Sequence, residues 1–203
     1  MKTQPLRRKN GFTLVELLVV ISIIAVLAGA GFAAGNAAIQ KAKKVTATAT
    51  CVALESAVNN FYTEYGAMPI TGSSDEKIET DQKTNKTLIA LLGKEPSTGT
   101  ENLNTRGIKF LSVKEGKKLK DKGINGIIYT SDGGFDGLYD PWGGSYKMIV
   151  DGDYDETLKN VKPKGATTAV NLNGRRVAAW SDGADGKDAS NGKAADDVVT
   201  WNK

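Results

Sequence analysis

Between Leu17 and Gln40 the chain runs 24 residues without a charge, and most of them are Leu, Val, Ile or Ala. A helix of about 20 apolar residues spans the hydrocarbon core of a bilayer, so this run is long enough to cross one. Glu16 stands at its head, behind a basic cluster of Lys2, Arg7, Arg8 and Lys9. Such a cluster favours a cytoplasmic N-terminus. Lys41, Lys43 and Lys44 follow the run, so the charge bias across it is slight. A secretory signal peptide has the same outline, with small residues at Ala28-Gly29-Ala30 as a cleavage site. Glu16 argues against it. A carboxylate deep in a bilayer costs several kcal/mol unless it is paired, and a signal peptide gains nothing from that charge. A subunit that must register against an identical neighbour gains specificity from it.

Composition closes several other routes. The 203 residues suit one domain with an appendage. There is no histidine, which removes histidine catalysis and histidine metal ligation, and the single cysteine, Cys51, excludes an internal disulfide. The formal charge of +4 comes from residues 1–11, which carry four bases and no acid. Without them the chain is formally neutral, so nucleic acid is rejected as a partner.

The stretch Gly11-Phe12-Thr13-Leu14-Val15-Glu16-Leu17-Leu18-Val19-Val20 resembles the cleavage and methylation signature of type IV prepilins and type II secretion pseudopilins. The resemblance implies cleavage after Gly11 by a prepilin peptidase and N-methylation of Phe12. It also implies that Glu16 meets the N-terminal amine of a neighbouring subunit, in a homo-oligomeric filament pushed from an inner-membrane assembly platform. Elementary geometry agrees: four residues along a helix return to the same face.

Proline is absent from Phe12 to Met68, so one helix is allowed from Leu14 to Tyr65, about 78 Å long at 1.5 Å per residue. Two stripes follow helical spacing in its second half, Val45/Ala49/Val52/Ser56 and Leu54/Val58/Phe61/Tyr65, and both are expected to pack on a sheet. Cys51 reads as a small helix-face residue. Gly29, Gly31 and Gly35 each weaken the helix by about 1 kcal/mol relative to Ala, or allow close helix approach in lipid. Gly66 and Pro69 stop it. Residues 71–83 and 94–105 read as loops, and Thr87–Leu92 as a short helix ending at Gly93. Strands are expected at Gly107–Val113, Gly126–Thr130, Ser145–Val150, Arg175–Trp180 and Asp197–Trp201. The fold class is therefore α+β, pilin-like: a long N-terminal helix packed on a small antiparallel sheet. Its divisions are a leader, 1–11; a membrane-spanning and assembly segment, 12–35; an amphipathic helical half, 36–66; and a head, 67–203.

Two aspartate-rich stretches are candidate metal loops. Ser181-Asp182-Gly183-Ala184-Asp185-Gly186-Lys187-Asp188, with Asp196 and Asp197 beyond it, offers the carboxylate oxygens that calcium prefers. It resembles the calcium loop of major pseudopilins, as Asp140-Pro141-Trp142-Gly143 and the helix exit Phe61–Pro69 resemble other parts of those proteins. That resemblance implies Asp185, Asp196 and Asp197 as ligands of Ca2+. The second stretch, Asp151-Gly152-Asp153-Tyr154-Asp155, is D-x-D-x-D. An EF-hand frame would need glycine at 156 and glutamate at 162, where the chain has Glu156 and Lys162. It reads as a charged loop. Asp132 and Asp136 are placed in a glycine-rich turn. No nucleophile with a base, phosphate loop or zinc spacing is present in the sequence, so an enzyme is not expected. The expected function is a structural subunit of a type II secretion pseudopilus or type IV pilus-like filament. It would be anchored in a bacterial inner membrane by one span, with its head outside the cytoplasm and later in a periplasmic or extracellular filament. The alternative from another class is a minor pilin or adhesin acting as a surface binding module.

Overall fold

The computed structural model describes residues 12–81, 85–96, 101–120, 122–131, 133–161, 169–186 and 197–201. The fold is α+β, a long apolar N-terminal helix together with antiparallel strands. The chain divides into two compact units, residues 1–42 and residues 43–203. One helix, α1 (Leu14–Tyr65), contributes to both. It is unbroken because no proline interrupts it.

Among the described side chains of the first unit, α1 buries none. Every large apolar side chain from Phe12 to Ile39 is between 45% and 80% exposed. Ser22 turns its hydroxyl back to the Leu18 carbonyl at 2.8 Å, which hides its polarity along the helix. A Cβ added at Gly29, Gly31 or Gly35 would meet nothing within 4 Å.

In the second unit α1 presents one face to the core. Ala47, Cys51, Leu54, Ala57, Val58 and Phe61 are buried. The other expected stripe does not pack: Val45, Ala49, Val52 and Ser56 stay exposed. The two stripes lie on different sides of the helix, and the sheet covers one side only. Gly66, at φ 68°, ends the helix.

The remaining elements follow in order: β1 (Glu76–Glu79), α2 (Lys86–Leu91), β2 (Lys117–Leu119), β3 (Lys122–Ile124), β4 (Gly126–Tyr129), β5 (Phe135–Tyr139), β6 (Tyr146–Val150), β7 (Thr157–Val161), β8 (Val170–Asn173), β9 (Val177–Ser181) and β10 (Val198–Val199). The main sheet is antiparallel in the order β1-β6-β9-β10. Its register pairs Ile78 with Met148 and Met148 with Ala179. These three share one face and are buried with Leu54, Val58 and Phe61 in the main core. A smaller cluster on Ile149, Leu158, Val161, Ala178 and Trp180 forms around the opposite face. The hairpins β2-β3, β4-β5 and β7-β8 complete the head. Thr80 ties β5 to the sheet. Its buried hydroxyl donates to the Leu138 carbonyl at 2.6 Å and accepts the Tyr146 N–H at 2.8 Å.

Helix α2 starts at Asn85, whose side chain accepts the Leu88 N–H at 3.0 Å. It ends in a Schellman arrangement, with Gly93 N–H on Ala90 O and Lys94 N–H on Ile89 O. Gly93 has φ 65°, and a Cβ there would lie 2.8 Å from the Gly107 carbonyl oxygen.

Several strand expectations need correction. Residues 107–113 form no strand. The N–H groups of Phe110 and Leu111 both go to the Leu91 carbonyl, and the Phe110 ring packs edge-on against Phe61 at 5.3 Å. Residues 76–79, expected as loop, form β1. Asp136, expected in a turn, lies buried in β5 and pairs with Lys118 at 3.1 Å. The last strand is only two residues long.

Candidate functional site

The N-terminal segment carries a local device that the expected role of Glu16 did not include. Thr13 and Glu16 form a reciprocal cap. The Glu16 carboxylate accepts the Thr13 N–H and the Thr13 hydroxyl, both at 2.8 Å, and the Glu16 N–H reaches back to the Thr13 hydroxyl at 3.2 Å. This is the capping box of a Thr-x-x-Glu start. The signal was legible in the sequence as Thr13-Leu14-Val15-Glu16. The carboxylate thereby satisfies donors at the first turn of α1, and it sits at the end where the helix dipole favours a negative charge. Phe12, just outside the cap, is exposed. Gly11 lies outside the described residues.

Helix α1 is long and apolar enough to cross a membrane. Its exposed run from Leu14 to Ile39 is a surface that lipid, or the same helix of another copy, would cover. The cap places the only carboxylate of that run at its very start.

The second candidate region is the root of the C-terminal aspartate loop. It grows from β9 and returns to β10, which pairs Val198 with Ser181. Asp140, from the Asp140-Pro141-Trp142-Gly143 turn, fixes this root. Its carboxylate accepts the Trp142 N–H at 2.9 Å, the Gly144 N–H at 2.8 Å and the Ser181 hydroxyl at 2.6 Å. Ser181 in turn accepts the Gly183 N–H at 3.2 Å. Burial pushes the Asp140 carboxyl above the ordinary carboxylate range, although these hydrogen bonds pull the other way. Lys147 of β6 pairs with Asp182 at 2.6 Å, with both side chains mostly buried. Trp180 and Trp201 meet edge-to-face at 5.6 Å across the strands.

Of the three expected calcium ligands, Asp185 is exposed, Asp197 is buried, and Asp196 lies outside the described residues. Asp188 lies outside them as well. Among the described residues, Asp182, Asp185 and Asp197 do not gather into a set of converging carboxylates. Asp182 is committed to Lys147. The described part of this loop therefore shows a firmly tied root and no assembled cation site.

No curated protein and no solved structure matches the chain. The family model of the prokaryotic N-terminal methylation motif matches residues 6–32. That segment brackets the Thr13–Glu16 cap and most of the exposed apolar run, and it makes the N-terminus of the chain type IV prepilin-like.

Proposed function

We propose that the chain is a structural subunit of a type IV pilus-like or type II secretion pseudopilus filament, rather than an enzyme. The observation that carries the proposal is the N-terminal segment: a methylation motif over residues 6–32, together with a helix from Leu14 whose large apolar side chains are exposed as far as Ile39. In this reading a prepilin peptidase cuts after Gly11, Phe12 becomes the N-terminus, and Glu16 pairs with the amine of a neighbouring copy. The helix anchors the subunit in the inner membrane until assembly, with the head outside the cytoplasm.

Mass spectrometry of the cellular protein should find a methylated Phe12 as the N-terminus, and a start at Gly31 would sink the reading. Glu16 itself is tested by two variants. Glu16→Gln keeps the capping box, since glutamine serves at that position, but removes the charge. Glu16→Ala removes both. Both should insert into membranes at least as well as the parent chain, and both should fail to form filaments. Filaments of normal yield from Glu16→Gln would assign Glu16 to capping alone.

Calcium in the C-terminal loop belongs to the same reading and is supported by the oxygen-donor chemistry of its aspartates alone. Calcium should raise the melting temperature of the chain more than magnesium does, and Asp185→Ala should reduce that rise. An identical rise in Asp185→Ala would remove Asp185 from the ligand set.

A further inference from the structure

The D-x-D-x-D run has a partner that its own sequence does not reveal. Strand β1 pairs with β6 so that Glu76 faces Val150. One step further along each strand, Asp75 comes beside Asp151. Gly152 allows the approach: a Cβ there would lie 2.1 Å from the Ser74 carbonyl oxygen, so any side chain would push the 74–75 segment away. Asp75, Asp151 and Asp153 each bring a carboxylate oxygen into one group, all within 4.8 Å of one another.

Asp151 is wholly buried. Its Oδ2 accepts the Glu156 N–H at 3.0 Å, while its Oδ1 is buried with no hydrogen-bond partner. Asp75 repeats the pattern: Oδ2 accepts the Lys159 N–H at 2.7 Å, and Oδ1 is buried without a hydrogen bond. Carboxylates gathered this closely repel one another, and a buried carboxylate oxygen without a donor forfeits its solvation. Lys159 compensates from outside only. Its half-exposed ammonium holds Asp153 Oδ2 at 2.7 Å and Asp155 Oδ2 at 2.8 Å.

We propose that Asp75, Asp151 and Asp153 form a calcium site, with the two donor-less oxygens of Asp75 and Asp151 as its inner ligands. Oxygens that share a calcium ion at 2.3–2.6 Å lie no more than about 5 Å apart, and the ion accepts irregular sets of carboxylates, carbonyls and water. The loop departs from an EF-hand by taking Asp75 from another strand in place of a glutamate at 162. Glu156 stands in the frame where an EF-hand has glycine, and it adopts that turn's left-handed backbone with φ 57°. A bound ion would pin the start of β1 to the end of β6.

The test titrates calcium into the full chain in detergent micelles by calorimetry, on an Asp185→Ala background that weakens the expected contribution of the C-terminal loop. Terbium, followed by luminescence sensitised through Tyr154, is the second probe, and calcium should displace it. Asp151→Asn and Asp75→Asn should each weaken calcium about tenfold or more. Lys159→Met should tighten it severalfold by removing a competing cation. Circular dichroism identifies any variant that fails to fold, and Lys159→Met, altering an exposed side chain, keeps the test decisive. No binding on the Asp185→Ala background, an unchanged affinity in folded Asp75→Asn, or weaker binding in Lys159→Met would each overturn the proposal.

Discussion

Cys51 shows how a single position is set by its surroundings. It is fully buried on the core face of α1. Burial pushes its thiol well above the ordinary range, and the nearby Glu55 and Asp140 carboxylates add to the shift. The thiolate is the reactive form, so the folded chain should resist alkylation at neutral pH and react only on unfolding. Rapid iodoacetamide labelling of the native protein would contradict this. Reading Cys51 from sequence as a small helix-face residue was sound because its neighbours at helical spacing are apolar. The Thr13–Glu16 cap was equally present in four consecutive letters. The resemblance to prepilins accounts for Glu16 through a neighbouring subunit and is silent on its local partner, Thr13. The Asp75–Asp151 juxtaposition could not be read at all. It depends on a strand register that joins residues 76 positions apart.

At the level of elements, α1 separates two kinds of apolar residue that periodicity alone does not. Leu54 is fully buried and Val52 is 46% exposed, though both belong to helical stripes. Leu54→Ala should cost about 2–5 kcal/mol, because it removes contacts and leaves a cavity. Val52→Ala should change stability by no more than about 0.5 kcal/mol. Urea unfolding of the two variants checks the assignment, and equal losses would mean that the buried face is wrongly placed. The helix itself was legible from its freedom from proline, and α2 from its cap and Gly93. The sheet was legible only where several apolar residues cluster, as in β4, β6 and β9. Strand β1 escaped notice because only Ile78 is buried in it. Residues 107–113 misled because a β-branched and aromatic run can equally serve as a packed irregular segment, once the Leu91 carbonyl accepts its N–H groups.

For the molecule as a whole, the two units differ in what they leave uncovered. Residues 43–203 hold both hydrophobic clusters, whereas the large apolar side chains of residues 12–42 are all exposed. A chain beginning at Lys43 should therefore be soluble, folded and monomeric by light scattering, and stable filaments from it would show that the head alone drives assembly. The Thr13–Glu16 cap has a consequence for the supply of subunits. In the proposed membrane-anchored subunit, a carboxylate already holding two donors of its own chain would not be a bare charge, which would lower its tendency to pair at random. Pairing Glu16 with a neighbouring copy, as proposed, would exchange one set of bonds for another, so that the net gain per subunit would be only the difference. If the proposed filament forms, a smaller net gain per contact makes each joining step more easily reversed than pairing of a bare charge would be.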